Sequence, residues 1–325
     1  MVKSFRDLKK SRDAMFNKLN QRMESENKGG RPEKDPRFWY PQVDKAGNGF
    51  AIIRFLPPAQ GEDTPYVRIF SHGFKGPGGW YIENSRTSLK GTDGTMMPDP
   101  LGEYNQAEWA RAEKLEGEGN KVEADRIKNQ VRDRKRKVSY ISNIYVEKDP
   151  ANPENEGKVF LFRYGKQIYD KIADIMNPAV EGDDPIYPFD FDEGANLRMK
   201  ISKNKGGFRT YENSAFDRPS PLGETDDDQE NIWGSEHELL PFLGEDQFKS
   251  YADLKARLDR VLALNTKTAS EPSKSDSAYE KEEEEDLPWK SEEDEPKSSE
   301  PEPENESAVD DDDDLDYYRK LAEGV

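Results

Sequence analysis

The residues of this chain best suited to chemistry are cations and flat rings set side by side. Arg132–Lys137 (RDRKRK) runs straight into VSYISNIYV, so Lys135, Arg136 and Lys137 open a segment carrying Tyr140 and Tyr145. A cationic cluster attracts phosphates and a π-face stacks on a base, the two terms that single-stranded nucleic acid needs. Each phosphate neutralised adds roughly 0.7 to the log–log salt slope on a single strand, and each stacked base roughly 1–3 kcal/mol. For the basic run alone, the solvated end of a charged helix is the competing reading.

The same idiom returns three times. Trp80 and Tyr81 follow the Gly-rich FKGPGG; Phe160, Phe162 and Tyr164 alternate around Arg163; Phe208 and Tyr211 flank Arg209 just after Lys203 and Lys205. In a strand Phe160, Phe162 and Tyr164 share one face, and a hydrophobic core is the more common explanation for such a triplet. The Lys, Gly and Arg neighbours of Phe208 and Tyr211 favour the binding reading there.

Catalysis has less to draw on. The chain has no Cys and only two His, His72 and His237, which leaves little for serine-type triads or histidine-rich metal sites. Asp190, Asp192 and Glu193 in PFDFDEG are the best case for a metal-dependent nuclease, which needs clustered carboxylates; an acidic turn between strands is the ordinary alternative. GFKGPGG lacks the GxxxxGK[ST] spacing of a phosphate-binding loop and reads as a hairpin turn.

These side chains must be positioned by strands. From Phe38 the chain shows short β-branched and aromatic segments punctuated by Gly and Pro: Phe50–Leu56, Tyr66–Ser71, Gly79–Ile82, Val138–Glu147, Val159–Tyr164, Leu197–Ser202 and Gly207–Tyr211. Helices are predicted over Ala107–Arg136, over Lys166–Met176 ahead of Pro178, and over Gln247–Leu264 with Phe248, Tyr251, Leu254, Leu258 and Leu262 on one stripe. The fold class is mainly β with added helices.

Composition divides the chain into three parts. Residues 1–37 form a basic arm and linker: seven cations against Asp7 and Asp13 give +5 over residues 1–23, with Phe5, Leu8, Met15, Phe16, Leu19 and Met23 on one helical stripe. Residues 38–265 hold the core. Residues 266–325 form an acidic tail; from 271 onward 23 acidic residues face 6 basic, so most of the net charge of -19 belongs there. Such blocks are expected to stay disordered. Leu287 and Trp289, then Leu315, Tyr317, Tyr318 and Leu321, interrupt them as candidate docking elements for partners. A mean hydropathy of -1.10, no Cys and no long apolar run point to a soluble cytosolic protein without a membrane segment.

The segments DKAGNGFAIIRFLP, SHGFKGPGGWYIE, KRKVSYISNIYVEKDPANPENEGKVFLFRYGKQIYDKI and EGANLRMKISKNKGGFRTYENSAF resemble the core of the single-stranded DNA-binding, helix-destabilising proteins of T-even-like bacteriophages, over about Asp44–Phe216. The resemblance implies an OB-fold core, a flexible basic arm for cooperative self-association on DNA, and an acidic tail that recruits replication and recombination proteins such as DNA polymerase, helicase loader and recombination mediator. It implies a role in the cytoplasm of the infected bacterial host. It further implies that Arg54, Lys75, Tyr81, Lys135, Arg136, Lys137, Tyr140, Phe162, Arg163, Phe208 and Tyr211 line the DNA cleft. Trp80, Tyr164, Lys203, Lys205 and Arg209 join this set from their pattern. Phe162 stands where the family usually has Tyr, which keeps a π-face and loses a hydroxyl. In the arm, Lys3, Ser4 and Arg6, then Lys9, Lys10, Ser11 and Arg12, are the counterparts of the family's self-association motif.

One departure concerns a metal. The family holds a structural zinc with one His and three Cys, and His72 in SHGFK matches the His position. Ser85, Met97 and Pro100 stand in the approximate places of the thiols, and none is a thiolate donor. The expectation is a core with no cofactor, a neutral His72, and an insertion over about 104–137 packing where the zinc subdomain would lie, with Trp109 and Leu115 as anchors. RNA-binding OB proteins and an acidic-tail interaction hub are the other classes consistent with the sequence.

Overall fold

Ala51, Ile53 and Phe55 alternate with Ile52 and Arg54, the period of two that presents one set to each face of a strand. In the computed structural model, which describes residues 35–179 and 184–264, this segment is β1 (Gly49–Phe55). It belongs to an eight-stranded sheet whose paired strands are all antiparallel. The others are β2 (Tyr66–Gly76), β3 (Gly79–Asn84), β4 (Lys137–Lys148), β5 (Val159–Tyr164), β6 (Asn196–Lys203), β7 (Arg209–Thr210) and β8 (Ala215–Phe216). The order is β3-β2-β4-β1-β6-β7, with β5 added to β4 and β8 to β6. β4 is the hub: Lys137–Ser142 pair with β2, Ile144–Lys148 with β1, and Tyr140–Tyr145 also with β5.

One face of this sheet buries Ile53, Phe55, Ile144, Val146, Leu197 and Met199 among the rings of Trp39, Phe162, Tyr164 and Phe189. The rings meet edge to face, Trp39–Phe162 at 5.3 Å and Phe55–Tyr164 at 5.4 Å, an arrangement favoured by the aromatic quadrupole. Trp39 Nε1 donates to Asp149 Oδ2 at 2.9 Å, and Asp149 also orders the DPANPEN turn by accepting from Asn152 N and Asn155 Nδ2. On the other face Val67, Ile69, Ile141 and Leu161 meet Leu239, with Phe38, Phe242 and Leu243 packed around them.

The charged stretch expected to be one helix is two, α1 (Pro100–Gly117) and α2 (Lys121–Asp133). Gly119 takes φ +84, a left-handed value that ends a helix cheaply only at glycine, and the Asn120 side chain then caps α2 by accepting from Glu123 N. The hairpin closes on Ala112, Leu115, Ala124 and Ile127. Trp109 is buried in α1, with Lys128 Nζ and the Arg132 guanidinium 5.5 and 5.9 Å from its ring centroid.

α3 (Lys166–Met176) follows the expected bounds. α4 (Asp226–Trp233) is a short acidic helix that gave no apolar period; a reciprocal Thr225–Asp228 capping box starts it. α5 (Tyr251–Val261) begins later than the Gln247 expected, because Ser250 caps it by accepting from Asp253 N. Leu254, Leu258 and Val261 of α5 and Leu101 of α1 together cover Phe74 and Tyr81 on the β2–β3 hairpin. Among the described residues no helix is long and apolar enough to cross a membrane.

Two sets of expectations lie outside the described residues. They are the arm residues Lys3, Ser4, Arg6, Lys9, Lys10, Ser11 and Arg12, and the tail residues Leu287, Trp289, Leu315, Tyr317, Tyr318 and Leu321.

Candidate nucleic-acid interface

Strand alternation places Tyr66, Arg68 and Phe70 of β2 on the same sheet face as Val138 and Tyr140 of β4, with Arg68 opposite Tyr140 and Phe70 opposite Val138. α3 lays Tyr169 flat on Tyr140, ring centroids 4.0 Å apart and planes within 3°. Tyr66 stands edge-on to both at 5.7 Å. Its hydroxyl lies 3.4 Å from that of Tyr169, and this bond together with burial pushes the Tyr66 hydroxyl up to about 12. Tyr66 therefore stays neutral, and the charge comes from arginine. Arg68 and Arg136 hold their guanidinium carbons 4.9 and 4.2 Å from the Phe70 ring centroid, within cation–π range. Tyr187, 44% exposed, sits 5.5 Å from Phe189 at the other end of the tyrosine group. The result is a strip of rings and cations on one sheet face, in which Tyr140, Phe70, Phe189 and Arg136 are buried while Tyr66 and Tyr169 are partly exposed and Arg68 and Tyr187 exposed; the exposed members could meet both bases and phosphates.

The β6–β7 hairpin supplies a second cationic group. Its tip is fixed by the Asn204 side chain, which accepts from Phe208 N at 2.8 Å, and it carries Lys203 and Lys205 exposed with Phe208 and Arg209 partly exposed. α3 ties this hairpin to the strip: Gln167 Oε1 accepts from Tyr211 N at 3.0 Å, and Lys171 Nζ donates to Glu212 O at 2.9 Å. Burial pushes the Tyr211 hydroxyl up, opposed by Arg209. Tyr211 packs against the core that also receives Tyr140 and Tyr169.

Other expected residues are placed elsewhere. Arg54, 1% exposed, is an internal clamp: its guanidinium donates to Asn196 Oδ1, Asp190 O, Ser220 O and Ser220 Oγ at 2.6–3.2 Å. A Cβ at Gly194 would stand 2.5 Å from Arg54 Nη1 and 2.1 Å from Asp190 O, so only glycine leaves room for this clamp. Tyr81 is fully buried and stacked on Phe74 at 5.4 Å. Phe162 and Tyr164 belong to the core, Tyr164 sharing a 2.9 Å hydroxyl contact with Ser142. None of these four presents a face to a nucleic-acid strand in this structure. Arg163 lies on the opposite sheet face, 6.0 Å from the Phe38 ring. Lys75 sits over Trp80 at 5.9 Å, on the side of the β2–β3 hairpin away from Tyr81.

The basic run divides in the same way. Arg134 and Arg136 are buried, at 7% and 8% exposure, while Lys135 and Lys137 are partly exposed at the start of β4. In the acidic triplet, Asp190 Oδ1 accepts from the backbone N–H of both Asp192 and Glu193 at 2.8 Å, and Asp192 Oδ1 accepts from Gln229 Nε2. That is the geometry of a hydrogen-bonded turn. Sequence reading missed Tyr66, Arg68, Phe70, Tyr169 and Tyr187. The first three are an aromatic–cation–aromatic alternation in YVRIF that was available; nothing local marks Tyr169 or Tyr187.

Comparison with known proteins bears on the family. Residues 47–262 match the family model described as gp32 DNA binding protein like. The single-stranded DNA-binding protein of Enterobacteria phage T2 is 37% identical over 256 residues, covering 77% of this chain and 79% of that protein. The protein of the same name from Enterobacteria phage T4 is 37% identical over 239 residues, 73% of each chain. That of Escherichia phage SV14 is 50% identical over 78 residues, 24% of this chain and 66% of that protein. With the family model covering well over half of its length and relatives of this identity along most of it, the chain belongs to the gp32-like DNA-binding protein family.

Proposed function

We propose that this chain binds single-stranded DNA with little sequence preference and acts by binding rather than by catalysis. The observation that carries this reading is its 37% identity, over about three quarters of both chains, to phage single-stranded DNA-binding proteins. The accessible members of the strip, Tyr187, Tyr66, Tyr169 and Arg68, support it, since rings and guanidinium groups recognise features common to every base and phosphate. Proteins that bind separated strands in preference to duplex lower duplex stability by mass action. The three-way pairing of β4 is consistent with an OB-type barrel as the core.

The finer reading has four parts. The basic arm mediates cooperative self-association along the strand. The acidic tail recruits phage replication, recombination and repair proteins, and it competes with DNA for the basic surface at low salt, where screening is weak. The protein works in the cytoplasm of the infected host. Binding needs no cofactor.

The deciding experiment is a salt titration of binding to poly-dT and to duplex of equal length, followed by intrinsic Trp fluorescence. Tight, salt-sensitive, cooperative binding to poly-dT with weak duplex binding is expected; equal affinity for both, or none, contradicts the reading. Removing residues 1–22 should preserve affinity for a short oligonucleotide and abolish cooperativity. Truncation after Ser270 should raise affinity at low salt.

A further inference from the structure

His72 on β2 and Asp99, immediately before α1, are 1% and 3% exposed, and His72 Nε2 stands 3.4 Å from Asp99 Oδ1. The second Asp99 oxygen accepts from Ser85 Oγ at 3.0 Å; Ser85 Oγ contacts Thr87 Oγ1 at 2.9 Å; Thr87 Oγ1 accepts from Arg136 Nη1 at 3.2 Å. Arg136 is the cation that rests on Phe70. A buried polar chain thus runs from the β2–β3 hairpin to the arginine end of the strip, hydrogen-bonded from Asp99 through Ser85 and Thr87 to Arg136, while His72 approaches Asp99 without a hydrogen bond.

This chain occupies the place where the resemblance puts a zinc, and the residues do not fit one. A structural zinc takes four nitrogen or thiolate ligands. Here His72 and Asp99 supply two donors, and among the described residues no three His, Cys, Asp or Glu side chains are grouped to hold a metal. The Met97 sulfur faces Arg86 Nη2 at 3.2 Å, and Pro100 is the first residue of α1. The residue that converges with His72 and Ser85 is Asp99, which sequence reading passed over in favour of its neighbours. Burial pushes the Asp99 carboxyl up, but His72 and Ser85 outweigh it and hold the group below its ordinary value.

We propose that the buried chain His72–Asp99–Ser85–Thr87–Arg136 is a metal-free clasp that fastens the β2–β3 hairpin to α1 and holds Arg136 against Phe70, the ring that also carries the exposed Arg68 of the DNA-binding face. Its second half rests on the function proposed above. Arg136 keeps its place because Thr87 accepts one of its N–H groups while Phe70 supports its face, so Thr87 is a positioning residue.

The test uses the full-length chain purified from zinc-replete medium. Metal analysis should find substoichiometric zinc, and a chelator should leave the unfolding midpoint unchanged; one equivalent of zinc, lost on unfolding, overturns the clasp. Asp99→Asn should lower the midpoint by about 3–8 °C, and an unchanged midpoint counts against the His72–Asp99 pairing. Thr87→Val should bind oligo-dT several-fold more weakly with a salt slope lower by up to roughly 0.7, and Thr87→Ser should restore both. Wild-type affinity and slope in Thr87→Val overturn the positioning role. Failure of the wild-type chain to bind any single strand would instead refute the DNA-binding reading, and the metal result would still decide the clasp.

Discussion

The sheet face that begins at Trp39 and ends at Arg136 uses one vocabulary for two purposes. At the inner end Trp39, Phe55, Phe162 and Tyr164 are sealed at 3% exposure or less. At the outer end Tyr66 and Tyr169 are partly exposed, Tyr187 is open, and Arg68 stands on Phe70. Arginine divides likewise: Arg54 spends its donors on Asn196, Asp190 and Ser220, whereas Arg68 is exposed. Residue type does not separate core from binding surface here. What separates them is whether another element closes over the ring or cation, as α1 and α5 do over Tyr81.

The largest effects should come from breaking the inner end. Phe162→Ala should destabilise by about 3–5 kcal/mol through the cavity it leaves. Arg54→Met should cost about the same, since it strands buried acceptors. In both, denaturant unfolding should shift, while oligo-dT affinity, measured well below the midpoint, stays near wild type. A loss of affinity as large as the loss of stability would erase the distinction between the two ends.

Next comes a group remote from the strip. Both oxygens of Glu236 are buried without a hydrogen-bond partner, and burial, aided by Glu62, pushes its carboxyl up to about 8 from an ordinary 4.5. The folded protein then keeps a proton that the unfolded chain releases, so this contribution to stability is full below about pH 4.5 and falls as pH rises towards 8. Glu236→Gln should flatten that decline and be more stable than wild type at pH 8 by about 2 kcal/mol, with DNA affinity unchanged. A parallel pH–stability curve for the two proteins would contradict this.

Smaller effects are expected at the outer end, and in binding alone. Tyr187→Ala should weaken oligo-dT binding by roughly 1–3 kcal/mol if a base stacks there. Arg68→Ala should lower the salt slope by roughly 0.7 and change stability by less than about 0.5 kcal/mol. Unaltered titrations in both would move the binding surface away from this face.

Much of this architecture is legible in the sequence because strand alternation is local. GFAIIRF, the apolar run after KRK, and VFLFRY announce β1, β4 and β5. The break between α1 and α2 hangs on Gly119 and Asn120 inside a uniformly charged stretch, where propensity alone favours continuity. α4 escaped because the seven residues before its terminal Trp233 include a single apolar side chain, Ile232. The site was harder to read for a different reason. Arg54 is internal because carbonyls more than 130 residues away in sequence accept its hydrogen bonds, and the Tyr140–Tyr169 stack requires α3 to fold back onto β4. Such non-local closure decides which members of a cation-and-ring pattern face solvent.

The most direct test of that division is photo-crosslinking of oligo-dT to the native chain, with the modified residues located by mass spectrometry. The account predicts adducts at the outer end and hairpin tip, on Tyr66, Tyr187 and Phe208, and none on Tyr81, Phe162 or Tyr164. Adducts concentrated on Tyr81 and Phe162 would contradict it and show that the rings sealed in this structure are the ones that meet DNA.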